Sequence, residues 1–321
     1  MMKNLLRVFI SLALIAFLFY FMRNDIPQIR HALLHMDRLL CAVSVFVFIS
    51  TVFIMARRLE LIFNVEGAPL SLWEASSLTF IGYFFNNFLP TSVGGDIVKA
   101  MCASKTTQEP VRSVTSVLMD RLFGLFTFIM IPSISFIFFL RHIGNPVVPI
   151  MIYSFLAVSI LCFFMLFNRN LARRFQFIER LLNLLRVGEK VRKIYDGLHN
   201  FKNHKAVIVQ AMALSILGQS ANIFVLYILV LALGVHANVI YFFLLVPIVH
   251  LVSMLPSVNG LGIREGAYIY FLGPYIGKEY AAALGLLWLG LLFLMSLIGG
   301  VIYFVRHDYH ISRSDFGGKQ K

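Results

Sequence analysis

Two short stretches of this chain place proline, glycine, hydroxyl and charged residues inside sequence that is otherwise apolar. The first covers residues 86–96 and the second covers residues 255–267. Proline removes an amide donor and glycine lowers helical preference, so each stretch should end one helix and begin another. The free amides and the positive dipole at the start of a helix favour an anion such as phosphate. Both breaks are therefore candidate anion-binding positions.

Charged side chains within apolar sequence are costly to bury, which makes those near the breaks candidate functional residues. Arg264 carries a planar fork that matches phosphate geometry. Asp96 and Glu265 stand where the new helices begin, so they could cap these helices or contact a headgroup. The predicted binding residues are Asn87, Gly94, Gly95, Asp96, Lys99, Arg121, Asn259, Gly260, Gly262, Arg264 and Glu265.

Other polar residues have simpler interpretations. Asp120 and Arg121 open a predicted span, where they could pair or extend towards water. Arg57 and Arg58 end another span and are interpreted as topology signals. His250 is predicted to have a hydrogen-bonded packing role rather than to relay protons.

The composition predicts an all-α polytopic membrane protein. Of the 321 residues, 59% are hydrophobic and 13% are charged, with a mean hydropathy of +0.82. Soluble proteins carry about 25% charged residues, and about 20 apolar residues cross a bilayer as a helix. We expect a single membrane domain over residues 1–321, with about six full transmembrane helices and two re-entrant broken-helix hairpins.

The predicted elements follow one another in a regular order. The full spans are residues 5–22, 39–56, 118–140, 147–167, 206–233 and 281–305, and the hairpins are residues 72–116 and 239–276. A basic amphipathic segment covers residues 168–205, and a polar tail covers residues 306–321.

The two breaks indicate an internal repeat, with repeat one at about residues 5–140 and repeat two at about 147–305. Both breaks contain Leu-Pro, a hydroxyl residue, valine and glycines. Three spans lie between them, so the hairpins would enter from opposite faces and form an inverted repeat. Broken backbone in a bilayer must be covered by protein or line a wet cavity, so the breaks should meet near the midplane.

The net charge of +13 is interpreted as a topology signal and not as a nucleic-acid surface. Lysine and arginine concentrate in the segments expected on the inner side, which predicts that both termini are cytoplasmic. The basic 168–205 segment should lie among anionic headgroups. Alternatively, it could dock a cytoplasmic lipid-synthesising enzyme.

Familiar motifs of cofactor and metal enzymes do not occur in the sequence. Cys41, Cys102 and Cys162 are isolated, and the sequence contains no HExxH motif, ATP-binding loop or GxSxG motif. We therefore predict no cofactor and no metal site.

Three motifs together resemble the flippase-like integral membrane family, which includes the membrane domain of lysylphosphatidylglycerol synthases, the multiple peptide resistance factors. They are the 86–96 block followed by Lys99, the Asp120-Arg121 pair, and the block from Pro256 to Ala267. The resemblance covers about residues 5–305. It implies movement of a charged or glycosylated lipid across the inner membrane of a bacterium. In the fused synthases, a cytoplasmic aminoacyltransferase domain makes the lipid and the membrane domain moves it.

Three functions remain open on the sequence. The first is a lipid flippase or scramblase acting on an anionic or aminoacylated phospholipid or on a glycolipid. The second is a lipid-modifying membrane transferase resembling a phosphatidylglycerol lysyltransferase, although these 321 residues contain no aminoacyltransferase domain. The third is a non-transporting membrane partner of a lipid or cell-envelope enzyme. A homo-oligomer is compatible with each of them.

Overall fold

The computed structural model describes residues 25–89, 93–139, 201–254 and 260–309, with single positions at 23 and between 153 and 160. Within these ranges the chain is helical and forms no strand, which confirms the all-α polytopic prediction. The helices are α1 (Ile26–Leu34), α2 (Arg38–Val65), α3 (Leu72–Phe88), α4 (Gly94–Thr107), α5 (Pro110–Phe139), α6 (Lys205–Ala232), α7 (Val239–Val252), α8 (Ile263–Phe271), α9 (Gly273–Ile276) and α10 (Lys278–Val305).

Four helices in the described part of the chain are long and apolar enough to cross a bilayer: α2, α5, α6 and α10. They correspond to four of the six predicted spans. The predicted spans at residues 5–22 and 147–167, and residues 168–200 of the basic segment, lie outside the described residues apart from the single positions. Two boundaries were wrong, because α2 continues past its arginine pair to Val65 and α5 begins already at Pro110.

Helices α2 and α6 lie antiparallel along their whole length. The Asp37 amide donates to the Ala232 carbonyl at 2.8 Å, where α2 begins and α6 ends. At mid-length, the Thr51 hydroxyl donates to Asn222 Oδ1 at 3.2 Å. Each of these two helices is followed by a shorter helix, a break and a second short helix. The two halves of the chain therefore have the same order of elements, and their first long helices run in opposite directions.

The first broken hairpin consists of α3 and α4. Ser71 and Glu74 form a capping box that starts α3, and the helix ends where the chain reaches Leu89. Arg112 at the start of α5 donates to the Gly67 carbonyl at 3.1 Å, just before α3. The chain therefore leaves this hairpin on the side where it entered.

The second broken hairpin consists of α7, α8 and α9. Asn238 caps α7, and Glu265 caps α8 through the Gly262 amide. The rings of Tyr241 and Tyr275 stack at 4.0 Å, which brings the outer ends of this hairpin together as well.

The first helix of each hairpin packs against a long helix of the other half of the chain. Helix α3 packs on α10 of the other half, and α7 packs on α5. The α3–α10 contact is close, and the absence of a side chain on Gly299 allows it. An added Cβ on Gly299 would lie 2.0 Å from the Phe80 carbonyl oxygen.

The start of the predicted polar tail is packed against the protein. A 3₁₀ turn, His307–Tyr309, follows α10 and lies on α4. Tyr309 is only 2% exposed, and its carbonyl accepts from Cys102 Sγ at 3.4 Å. The first residues of the predicted polar tail thus pack on the bundle through Tyr309, while Asp308 in the same turn is exposed.

Candidate functional site

Five charged side chains from α2, α4 and α5 meet inside the bundle. This inner charged cluster consists of Arg58, Asp96, Lys99, Asp120 and Arg121. It holds three cations and two carboxylates. Burying such a cluster in a membrane interior costs desolvation free energy. The charges are therefore expected to be paired with one another or to bind a substrate.

The cluster contains two crossed ion pairs. Arg58 Nε donates to Asp120 Oδ1 at 2.7 Å, and Arg121 Nη1 donates to Asp96 Oδ2. The neighbours Asp120 and Arg121 therefore form hydrogen bonds with different helices, α2 and α4. Arg58 also reaches α6, where its Nη1 donates to the Ser215 hydroxyl at 2.8 Å.

Lys99 lies between the two ion pairs. Its Nζ is 3.8 Å from Asp96 Oδ1 and 3.9 Å from Asp120 Oδ2. Both distances exceed a normal hydrogen bond, and each carboxylate already has an arginine. Lys99 is 8% exposed, so within the described residues this buried cluster has one more cation than carboxylates.

Glycines allow α3 and α4 to approach at this point. An added Cβ on Gly95 would lie 2.3 Å from the Gly82 carbonyl oxygen, and one on Gly82 would lie 3.2 Å from Lys99 Cε. Asn86 Oδ1 accepts from the Gly95 amide at 2.8 Å. Asn86 thereby satisfies one of the free amides at the start of α4.

The acids at the two breaks have different partners. Asp96 lies with Arg121 and Lys99, and no side chain caps α4 at its N-cap residue. Glu265 accepts from the Gly262 amide at 2.7 Å and from Arg264 Nη2 at 2.8 Å. Glu265 therefore caps its helix and also pairs with its neighbouring arginine.

At the second break, the ion pair of Arg264 and Glu265 is largely buried and closely packed. Arg264 is 4% exposed, and Gly260 and Gly262 adopt φ values of +76° and +82°. These values lie in the left-handed region that glycine tolerates. An added Cβ on Gly285 of α10 would lie 3.3 Å from Glu265 Cγ, so α10 covers this pair closely.

Aromatic rings pack between α2, α5, α7 and α10. Trp288 lies 4.9 Å from Phe48 and 5.7 Å from His250, measured between ring centroids. The Tyr268 hydroxyl lies 3.4 Å from His250 Nε2. Phe128 meets the His250 ring edge-on, about two helical turns beyond Arg121 along α5. These contacts agree with a packing role for His250.

A cavity of about 450 Å³ lies between α4 and α5. Asp96 and Arg121 line one end, and Lys105 lines the end near the turn between the helices. The walls between them are mostly apolar and include Ile97, Ala100, Met101, Val114, Val117 and Leu118. We name this cavity the α4–α5 groove.

The structure distributes the predicted site residues over several places. Asp96, Lys99 and Arg121 come together, with Gly94 and Gly95 buried beside them. Gly260, Gly262, Arg264 and Glu265 form the second group. Asn87 instead donates to the Leu292 carbonyl of α10 at 3.2 Å, and Asn259 lies outside the described residues.

Sequence reasoning missed one central residue, Arg58. Arg58 was predicted to be a topology signal, but it is 6% exposed and paired with Asp120. The apolar pattern that continues beyond it to Val65 was the available signal. Its neighbour Arg57 behaves more as expected, because its side chain is half exposed and pairs with Glu60 one turn away.

Comparisons with known proteins identify a family and a distant relative. Residues 4–300 match the family described as lysylphosphatidylglycerol synthase TM region. A UPF0104 membrane protein of Methanothermobacter thermautotrophicus (strain Delta H) is 25% identical over 250 residues, which are 70% of this chain and 71% of that protein. No solved structure matches the chain.

Proposed function

This chain belongs to the family of lysylphosphatidylglycerol synthase transmembrane regions, and from that premise we propose that it moves a charged membrane lipid between leaflets. Membership makes it a membrane protein related to lipid metabolism, as the sequence motifs predicted. The finer proposal concerns activity: the protein is a flippase or scramblase and not itself the synthase.

One observation supports this activity above the others. The inner charged cluster carries an excess positive charge in the interior and borders the α4–α5 groove through Asp96 and Arg121. A polar headgroup needs such a charged surface to leave the interface, while its acyl chains need apolar surroundings. The site offers both side by side.

The architecture adds a second argument. Both broken hairpins return to the side they entered, and α2 lies antiparallel to α6, so we propose two re-entrant hairpins in an inverted repeat. Secondary transporters of this type bind substrate near the midplane, where broken helices meet. The inner charged cluster and the Arg264–Glu265 pair would then be the two polar walls of one translocation route.

We place the protein in a bacterial inner membrane with both termini in the cytoplasm. The groups at the open end of the first hairpin include Lys105 and Arg112, which fits an inner face rich in basic residues. Antiparallel α6 would then begin at the same face with Lys205.

Lipid translocation in proteoliposomes tests this function. Tail-labelled phosphatidylglycerol is incorporated into both leaflets, and the outer label is bleached with a membrane-impermeant reductant. Wild-type protein should raise the bleached fraction well above that of empty vesicles. Asp96→Ala and Arg264→Ala, checked for folding by size-exclusion chromatography, should lower the rate at least tenfold. Equal rates in empty, wild-type and mutant vesicles would reject transport.

The same vesicles separate the alternatives. A mass change in the recovered lipid would favour a transferase. Unchanged lipid that does not move, together with co-purification of a soluble lipid-synthesising enzyme, would favour the non-transporting partner.

A further inference from the structure

We propose that the α4–α5 groove is the lateral access site for the lipid and that it selects an anionic phospholipid. Lys105 receives the lipid phosphate at the end of the groove that lies nearest the membrane surface. This inference rests on the proposed function and adds the substrate charge and the place of access.

The shape of the groove fits part of a lipid. Its volume of about 450 Å³ lies within the usual range for small-ligand sites, which is about 300–1,000 Å³. A two-chain phospholipid is larger, so most of it would stay in the bilayer. The groove walls face outward, since Ile97 is 56% exposed and Leu118 is 38% exposed.

The charges of the groove fit an anionic headgroup. Lys105 stands in the last turn of α4, where the chain returns to the surface, and Arg121 lies at the inner end. Asp96 and Lys105 are about 14 Å apart along the helix axis. A headgroup moving inward would pass from one cation at the interface to the inner charged cluster, which itself has an excess positive charge.

This arrangement discriminates between headgroups by charge. A phosphatidylglycerol brings one negative charge to a groove whose charged lining residues are two cations, Lys105 and Arg121, and one carboxylate, Asp96. A zwitterionic lipid gains less, and a headgroup with a net positive charge is repelled. The sequence leaves anionic phospholipids, aminoacylated phospholipids and glycolipids open, and the charges of the groove favour the anionic class.

Equilibrium binding to the solubilised full-length protein tests the groove independently of transport. The probes are tail-labelled phosphatidylglycerol and phosphatidylcholine. We expect phosphatidylglycerol to bind about tenfold more tightly. Lys105→Gln should weaken phosphatidylglycerol binding about fivefold, and Lys105→Arg should retain it. Lys205→Gln removes an exposed lysine at the start of α6, outside the groove, and should have no effect.

A second pair of variants tests the apolar walls. Leu118→Trp fills the groove and should weaken binding of both lipids, whereas Ile134→Trp, exposed on the same helix but outside the groove, should not. Equal binding of the two lipids, or equal effects of these two variants, would overturn the proposal. Competition by millimolar inorganic phosphate would overturn it too, because the site would then hold free phosphate.

The two hypotheses fail in different ways. If the groove variants bind lipid normally and translocation still occurs, the access site is wrong and the transport function stands. If binding follows the groove variants and no lipid crosses, transport is wrong and the binding site stands.

Discussion

Arg58 on α2 and Asp120 on α5 form a buried ion pair across 62 positions of sequence, with Nε 2.7 Å from Oδ1. Their side chains are 7% and 11% exposed. Through Ser215, Arg58 also holds α6, and through Lys99, Asp120 approaches α4. The pair therefore joins the long spans of both halves to the first broken hairpin.

Breaking this pair should destabilise the protein strongly. Asp120→Asn leaves Arg58 buried without its carboxylate, which costs about 3–5 kcal/mol in buried pairs. Thermal unfolding in detergent should show a large drop in the midpoint. Replacing both partners, as Arg58→Met with Asp120→Leu, should recover part of the loss.

The pair Arg57–Glu60 supplies the control for this measurement, because its cation lies at the surface. The Arg57 side chain is 50% exposed and that of Glu60 is 13% exposed, so solvent screens the pair, and exposed pairs contribute about 0–1 kcal/mol. Glu60→Gln should therefore leave the midpoint almost unchanged. A drop of the same size in Glu60→Gln and Asp120→Asn would contradict the structural role given to Arg58.

Glycine contacts between helices should be sensitive to a single methyl group. A Cβ on Gly299 would lie 2.0 Å from the Phe80 carbonyl oxygen, and one on Gly95 would lie 2.3 Å from that of Gly82. Each alanine variant should lose about 1–3 kcal/mol or more through overpacking. Gly290→Ala on α10 meets nothing within 4 Å and should be neutral or slightly stabilising. Midpoints of thermal unfolding for the three variants provide the comparison.

The packed turn after α10 should shield a cysteine on the first hairpin. Cys102 is fully buried and its Sγ contacts the Tyr309 carbonyl. Arg306 holds the turn by donating to the Tyr309 hydroxyl at 3.1 Å. Tyr309→Ala should loosen this contact and raise the rate of maleimide labelling at Cys102 at least tenfold.

The labelling is done in a background that carries Cys41→Ser and Cys162→Ser. Asp308→Ala, an exposed change in the same turn, is the matched control and should label as slowly as the parent. Slow labelling of Tyr309→Ala would show that the turn does not cover this part of α4.

Glu66, just after α2, should make stability depend on pH. Burial raises the pKa of its carboxyl, while the charges of Arg112 and His204 act in the opposite direction. Its Oε1 has no hydrogen-bond partner among the described residues. Because the folded pKa exceeds the unfolded one, the protonated form stabilises the fold, and this stability is lost as pH rises from about 4.3 through the folded pKa.

Glu66→Gln tests this directly, since glutamine mimics the protonated acid. The difference in unfolding midpoint between the variant and the wild type should grow in favour of the variant between about pH 4.5 and pH 7.5. A constant difference over this range would mean that Glu66 titrates normally.

Local sequence signals predicted much of the fold. The length of the apolar runs located α2, α5, α6 and α10. The proline-glycine breaks located the positions where one helix of each hairpin ends and the next begins. The end of α2 differs because Arg57-Arg58 is not the end of the span, and the start of α5 differs because Asp120-Arg121 does not open it. In the structure, Arg58 stays inside because Asp120 compensates its charge, a contact that no local pattern contains.

The candidate site was also predicted only in part, because local sequence patterns do not contain tertiary contacts. Charge within apolar sequence identified Asp96, Lys99 and Arg121, which the fold brings together. It could not indicate that adjacent Asp120 and Arg121 form hydrogen bonds with different helices, because that depends on tertiary packing. The sequence allows Asn86 either to line a site or to satisfy a freed backbone group, and its bond from the Gly95 amide selects the second role.

Lys99 offers the most direct test of the central claim, because its removal leaves each carboxylate with its own arginine. Lys99→Met should therefore keep a thermal midpoint near that of the wild type while the inner charged cluster loses its excess positive charge. In proteoliposomes, we expect this variant to move phosphatidylglycerol at least tenfold more slowly than the wild type, and Lys99→Arg to retain most of the rate. Lys99→Met vesicles as fast as wild-type vesicles, or wild-type vesicles no faster than empty ones, would contradict the account.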